Sequence, residues 1–335
     1  MGARKRVRRA LYHVSPNGRN FHPPICPFAH LPICLFAQPV YNTALMSNRE
    51  RMPSLEHNET PQPPRPTEVR RIPTPRKKLT LVLFALSVLV ILFFVSAPPA
   101  QLLGKADVVG YAVCHRIPAR SFSLGDRSFP LCARCTGTFL GVLLGLTAML
   151  LLRRKRVSRL PPPLVLGALV LFIGFWGFDG LNSYMTFFPD APHLYEPRNW
   201  LRMTTGLLNG LALIILTWPI FNFTLWRNPA REPAIRTIWE LLALLPVVAL
   251  LVLAVHSGWY PLLYALALLS GAGVVVILVI IHSMIGAVIL GREGYAQNWL
   301  QALPVLALGG ALTILQVTVM VFLRFYLTMK FGLPF

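Results

Sequence analysis

With 335 residues, 55% of them hydrophobic and only 13% charged, the chain falls outside the composition of soluble domains and inside that of membrane proteins. Its formal charge of +20 is not spread over a folded basic face with interleaved aromatics. The charge sits in an N-terminal tail and in short segments between apolar runs, which excludes a nucleic-acid-binding domain and points to anionic lipid and the positive-inside rule.

Residues 1–76 are rich in Pro, Arg, Asn and His, show no sustained helical or strand period, and offer too little apolar surface to order themselves. They are expected to form a disordered basic tail. Within it PPICPFAH is followed by LPICLFAQ, a near-repeat carrying Cys26 and Cys34. Two cysteines without further ligands make a poor metal site, so the repeat reads as low-complexity sequence or as an extension upstream of a start at Met46. The charged start, apolar core and small-residue cleavage site of a signal peptide are not in this order here.

A membrane-spanning helix takes about 20 mainly apolar residues. Seven runs meet that length: 79–95, 136–152, 163–178, 203–225, 238–255, 261–290 and 300–327. They predict an all-α, polytopic transmembrane bundle of about seven helices over residues 77–330, with the sixth long enough to tilt or to bend at Gly271 and Gly273. Basic residues at 76–78, 153–159, 227–236 and 292 mark the cytoplasmic ends, giving a cytoplasmic N-terminus and an outer C-terminus in the cell membrane. The segment from Lys105 to Arg134 then lies outside although it also carries Arg116, Arg120 and Arg127, so those charges are expected to be held there by something.

That outer segment contains Cys114, His115, Cys132 and Cys135. Thiolates and imidazole are the donors Zn²⁺ takes in tetrahedral sites, and C-x-x-C spacing lets two sulfurs share one ion. Adjacent Cys114 and His115 point apart on either a strand or a helix, so either can be a ligand without the other. Redox-active thiols and a single structural disulfide remain alternatives, since C-x-x-C is also a redox spacing and Arg116 and Arg134 favour thiolates.

Polar residues recur at the same membrane face. Asp179 and Gly180 close the third span, and Arg202, Thr205, Gly206, Asn209 and Gly210 share one face of the fourth. Gly137, Gly141 and Gly145 form a stripe suited to close helix packing. Arg116, Arg120 and Arg202 supply fork-shaped donors for a phosphate or carboxylate, and Asp179 is the candidate general base or arginine partner. Hydrolase, nucleotide-loop and metalloprotease signatures are lacking.

The segments CHRIPARSF, FPLCARCTG, GFDGLN and RMTTGLLNG together resemble the "domain of unknown function 2085" family of predicted prokaryotic membrane proteins. The resemblance covers about residues 105–215. It implies a multi-pass membrane protein whose motif positions include Cys114, His115, Arg116, Pro118, Arg120, Ser121, Cys132, Cys135, Thr136, Gly137, Asp179 and Gly180, and it implies no activity.

The residues lead to one main expectation: an outer-face zinc site of Cys114, Cys132, Cys135 and His115, structural or acting on an anionic, lipid-like substrate. Thiol–disulfide exchange is one alternative. A carrier for a small anion or metal ion is the other, with Asn209, Asn222, His282 and Gln316 as its only candidate path.

Overall fold

The computed structural model describes residues 77–188, 192 and 194–331; the basic tail with Cys26 and Cys34 lies outside the described residues. Among the described residues seven helices are long and apolar enough to cross a membrane, and each coincides with one of the seven apolar runs. In chain order the elements are α1 (Lys77–Ser96), α2 (Leu102–Val113), β1 (Ser121–Leu124), β2 (Arg127–Cys132), α3 (Ala133–Leu151), β3 (Val157–Arg159) and α4 (Pro163–Met185). They continue as α5 (Asn199–Leu225), β4 (Ala230–Pro233), α6 (Ile238–Leu242), α7 (Leu245–His256), α8 (Tyr260–Ile289) and α9 (Trp299–Phe331). Pro246 lies in the first turn of α7, where its missing N–H is harmless, and the fifth span is accordingly broken into α6 and α7.

The centre of the bundle is the pair α3 and α5, of which α5 is the most enclosed span and α1, packed chiefly on α9, the least. The two central helices meet backbone to backbone. A Cβ on Gly210 would stand 1.9 Å from the Thr138 carbonyl oxygen, and one on Gly141 2.3 Å from that of Leu207. Only glycine permits this approach, which is the physical use of the small-residue stripe. The sixth span, α8, is one continuous helix; Gly273 sits against the Phe139 carbonyl and Gly271 against Ala106, so both glycines serve contact.

The segment 105–134, read as a loop, is instead folded. Its first part is α2, twelve residues and too short to span, with Leu103, Ala106, Val109 and Ala112 buried. The rest is an antiparallel hairpin in which Leu124 pairs with Arg127 across the turn at Gly125, whose φ of +62° suits glycine. Leu124, Phe129 and Leu131 are buried, and Gly110 of α2 rests directly on the Pro130 carbonyl.

This end of the bundle holds its basic side chains by internal bonds. Lys105 donates to the Phe94 and Ala97 carbonyls at 2.7 and 2.8 Å, closing the end of α1. Arg116 and Arg127 both pair with Asp107. Arg324 donates to the Tyr111, Cys114 and His115 carbonyls. At the opposite end Arg154, buried, forms a two-pronged pair with Glu240 at 2.6 and 2.5 Å, but the Arg153, Lys155, Arg159, Arg227 and Arg231 side chains form no hydrogen bond or ion pair among the described residues. There the parallel pair β3 and β4 ties the 153–159 segment to the 227–233 segment.

Candidate metal centre

Cys114 terminates α2, Cys132 is both the last residue of β2 and the N-cap of α3, and Cys135 lies in the first turn of α3. The strand-to-helix junction therefore folds the C-x-x-C pair back onto the end of α2. All three Sγ atoms lie within 4.8 Å of one another, and the Cys132 amide donates to Cys114 Sγ at 3.2 Å. The three are free thiols, packed among Val109, Ala112, Leu131, Val274 and Val317.

Their electrostatics are those of a shared charge. Hydrogen bonds from the Cys132 and Cys135 thiols, with a smaller one from His115, hold Cys114 far below the ordinary thiol range against the opposing effect of burial. The same bond to Cys114 pushes Cys132 up to about 11. The hydrogen bonds thus favour a thiolate at Cys114 beside a protonated Cys132, and a divalent cation bound here would take the place of the remaining proton. The N-terminus of α3 adds its partial positive charge at Cys132. This group is geometrically able to hold a metal ion. His115 is exposed and its ring nitrogens fall outside the mutually close set, although it reaches Cys114.

Beside the cysteines lies a second constellation, assembled from α3, α4 and α5. Asp179, 1% exposed, accepts from Arg134 Nε at 3.1 Å and from its Nη2, from the Tyr195 hydroxyl at 2.8 Å, and from Thr205 Oγ1 at 3.4 Å. Arg202 grips Ser183 Oγ through Nε and Nη2 at 3.2 and 2.8 Å and reaches Asn199 through Nη1. Arg120 donates to the Ser183 carbonyl at 2.9 Å and stacks on Phe187 at 3.8 Å. Burial, with the Arg134 charge, lowers Arg120 below its ordinary value, and a charge on Cys132 opposes that fall. Three guanidiniums thus surround one carboxylate, leaving positive charge facing the thiols.

The structure brings Asp179, Arg120 and Arg202 into this one cluster. Arg116 is not part of it: its guanidinium lies 2.9 Å from Asp107 on α2, and its own φ of 53° turns the chain away after His115. Arg134, expected beside the thiols, is instead the ion-pair partner of Asp179, and Ser183 and Tyr195 join the cluster without having been among the expected site residues. Arg134 carried a signal, being the residue between two thiols, whereas nothing in the spacing marks Tyr195 as a partner of Asp179.

Two connected clefts adjoin the cysteines. One, of about 270 Å³, is apolar and runs from Val113 and Cys114 along Met320, Leu323 and Leu327. The other, of about 490 Å³, is lined by Tyr111, Arg116, Pro118 and Ser128. His115 and Arg324 line both. Of the residues named for a carrier path, Asn222 is bound by Trp226 and His282 by Thr313, Gln316 is exposed, and among the described residues no hydrogen bond joins these or Asn209 to one another.

Fold and site together define a polytopic membrane protein with a tri-cysteine centre at one end of its bundle. Residues 114–216 match the family described as predicted membrane protein (DUF2085). An uncharacterized protein of Methanothermobacter thermautotrophicus is 36% identical over 105 residues, 31% of this chain and 84% of that relative. A second uncharacterized protein, from Methanocaldococcus jannaschii, is 27% identical over 111 residues, 32% of this chain and 64% of its own length. The chain belongs to the DUF2085 family. The match opens on Cys114 and closes within α5, so it holds the cysteines and the arginine cluster but not α6 to α9. No solved structure matches.

Proposed function

We propose that this is a zinc-binding membrane protein whose centre, formed by Cys114, Cys132 and Cys135, faces the outside of the cell. The observation that carries the reading is the convergence of three sulfurs within 4.8 Å of one another from two ends of a folded segment. Three thiolates and a divalent ion carry a net negative charge, and the surplus guanidinium charge of Arg120, Arg134 and Arg202 is placed to offset it. A fourth position is left for His115, water or a substrate atom. When bound, zinc would hold the hairpin to α3 or polarise a substrate oxygen.

The substrate class that fits is an anionic, lipid-like molecule. Its apolar part would follow Met320, Leu323 and Leu327, and its charged part would meet Arg116, His115 and Arg324. Arg120 and Arg202, bound to Ser183, would act on charge balance instead. The orientation in the cell membrane rests on the basic residues at the opposite end that find no partner among the described residues, which are the ones the positive-inside rule counts as cytoplasmic.

Metal analysis of detergent-purified protein tests this. About one zinc per chain, lost in Cys132→Ser, is expected. A zinc-free protein with a reducible bond among these cysteines would overturn the metal reading in favour of thiol–disulfide exchange, to which the free thiols at the α3 N-terminus are also suited. A protease-cleavable tag at Gly125 should be cut from outside intact cells; protection would reverse the orientation.

A further inference from the structure

At the end of the bundle opposite the cysteines, β3 and β4 build a pocket that the metal reading does not use. It has a volume of about 330 Å³ and is lined by Ser158, Phe223, Trp226, Arg227, Asn228 and Arg231. Its walls are fixed. The Ala230 amide donates to the Arg156 carbonyl at 2.8 Å, Ser158 Oγ to the Ala230 carbonyl at 3.0 Å, and the Arg227 amide to the Ala296 carbonyl at 2.9 Å. Trp226 is buried, with the Arg156 guanidinium 3.9 Å above its ring and Trp299 edge-on against it.

Arg227 and Arg231 both line this pocket, and their side chains form no hydrogen bond or ion pair among the described residues. Two carboxylates of this end are engaged elsewhere, Glu232 with Arg236 and Glu240 with Arg154. Two fork-shaped cations and the Asn228 amide around a small cavity are complementary to a tetrahedral phosphate. Phe223, 53% exposed, stands one turn back on the membrane-spanning α5 and continues the pocket into the apolar belt. A soluble anion has no use for that apolar wall, but a phospholipid places its phosphate at the interface and its chains beside such a ring.

We propose that this pocket is a binding site for the headgroup phosphate of an anionic phospholipid, held by Arg227 and Arg231 with an acyl chain along Phe223. It is independent of the cysteine centre and of its metal.

The test is thermal unfolding and native mass spectrometry of the full chain in detergent, with phosphatidylglycerol, phosphatidylcholine or inorganic phosphate added. Phosphatidylglycerol should bind and stabilise the protein above the other two, and the Arg227→Gln, Arg231→Gln double variant should weaken that binding by roughly tenfold or more. Arg159→Gln, outside the pocket, should leave it unchanged. Equal binding of phosphatidylglycerol to the double variant, or an equal loss in Arg159→Gln, would overturn the pocket in favour of diffuse attraction. Inorganic phosphate as effective as the lipid would overturn the lipid assignment. Gel filtration and unchanged unfolding of the lipid-free double variant keep a folding defect from being read as lost binding.

Discussion

Asp179→Asn isolates what the arginine cluster needs. The substitution keeps the shape of the side chain and removes the carboxylate that Arg134 binds, leaving Arg134 Nε and Nη2 with an amide oxygen in place of an anion. Asp179 is 1% exposed and the Arg134 side chain 18%, so water can restore little of the lost charge. Removing one partner of a buried ion pair costs about 3–5 kcal/mol, and the retained amide oxygen argues for the lower figure. For a domain of this size, about 3 kcal/mol corresponds to a fall in Tm of roughly 10 °C. Tryptophan fluorescence during heating in detergent would read it. The Arg134→Met, Asp179→Asn double variant should be more stable than the sum of the two single losses by about 1–3 kcal/mol, because it also removes the guanidinium that Asp179→Asn leaves without its anion. A Tm within about 1 °C of the parent protein for Asp179→Asn, or strictly additive losses, would refute the reasoning.

Four further outcomes follow from the same structure. Gly210→Ala must push α3 and α5 apart, since the new methyl would meet the Thr138 carbonyl at 1.9 Å; a loss of about 3 kcal/mol is expected from unfolding measurements. Gly174→Ala, with nothing within 4 Å of the added carbon, should stay within about 0.5 kcal/mol of the parent. Burial and the Asp179 carboxylate raise Tyr195 from its ordinary value of 10.0 to about 12, so the folded state holds that proton more tightly than the unfolded one. Its contribution to stability is therefore complete below pH 10 and lost as pH rises towards 12, and Tyr195→Phe should remove that part of the alkaline loss in unfolding scans. In competition with a zinc chelator, Cys114→Ser should release the metal, whereas His115→Ala, with its ring outside the close set, should weaken retention by about tenfold or less.

Much of the site was legible because its signals are local. Cys132 and Cys135 sit three residues apart at a strand-to-helix junction, and Gly137, Gly141 and Gly145 repeat with the helical period. The hairpin has a sequence pattern of its own: Phe122, Leu124, Phe129 and Leu131 alternate about a Gly-Asp turn. α2 left a weaker trace, because twelve residues holding Lys105 and Asp107 are neither long nor apolar enough to stand out beside the spans. Within the 105–134 segment Arg116 and Arg127 find the nearby Asp107, but other arginine bonds at this end join residues far apart along the chain. Arg134 finds Asp179 45 positions away, and Arg324 reaches back 210 to the Cys114 carbonyl.

What the sequence determined by itself is the set of seven spans, since transfer of an apolar stretch out of water depends on its length and composition and on no partner. It also determined which cysteines share a segment. The tertiary structure decided what those residues meet. Gly206 and Gly210 let α5 lie against α3, and that approach carries Thr205 and Arg202 up to Asp179 and Ser183 while the hairpin returns Cys132 to Cys114. Which faces touch depends on the packing of surfaces from different spans, and no local pattern encodes that pairing.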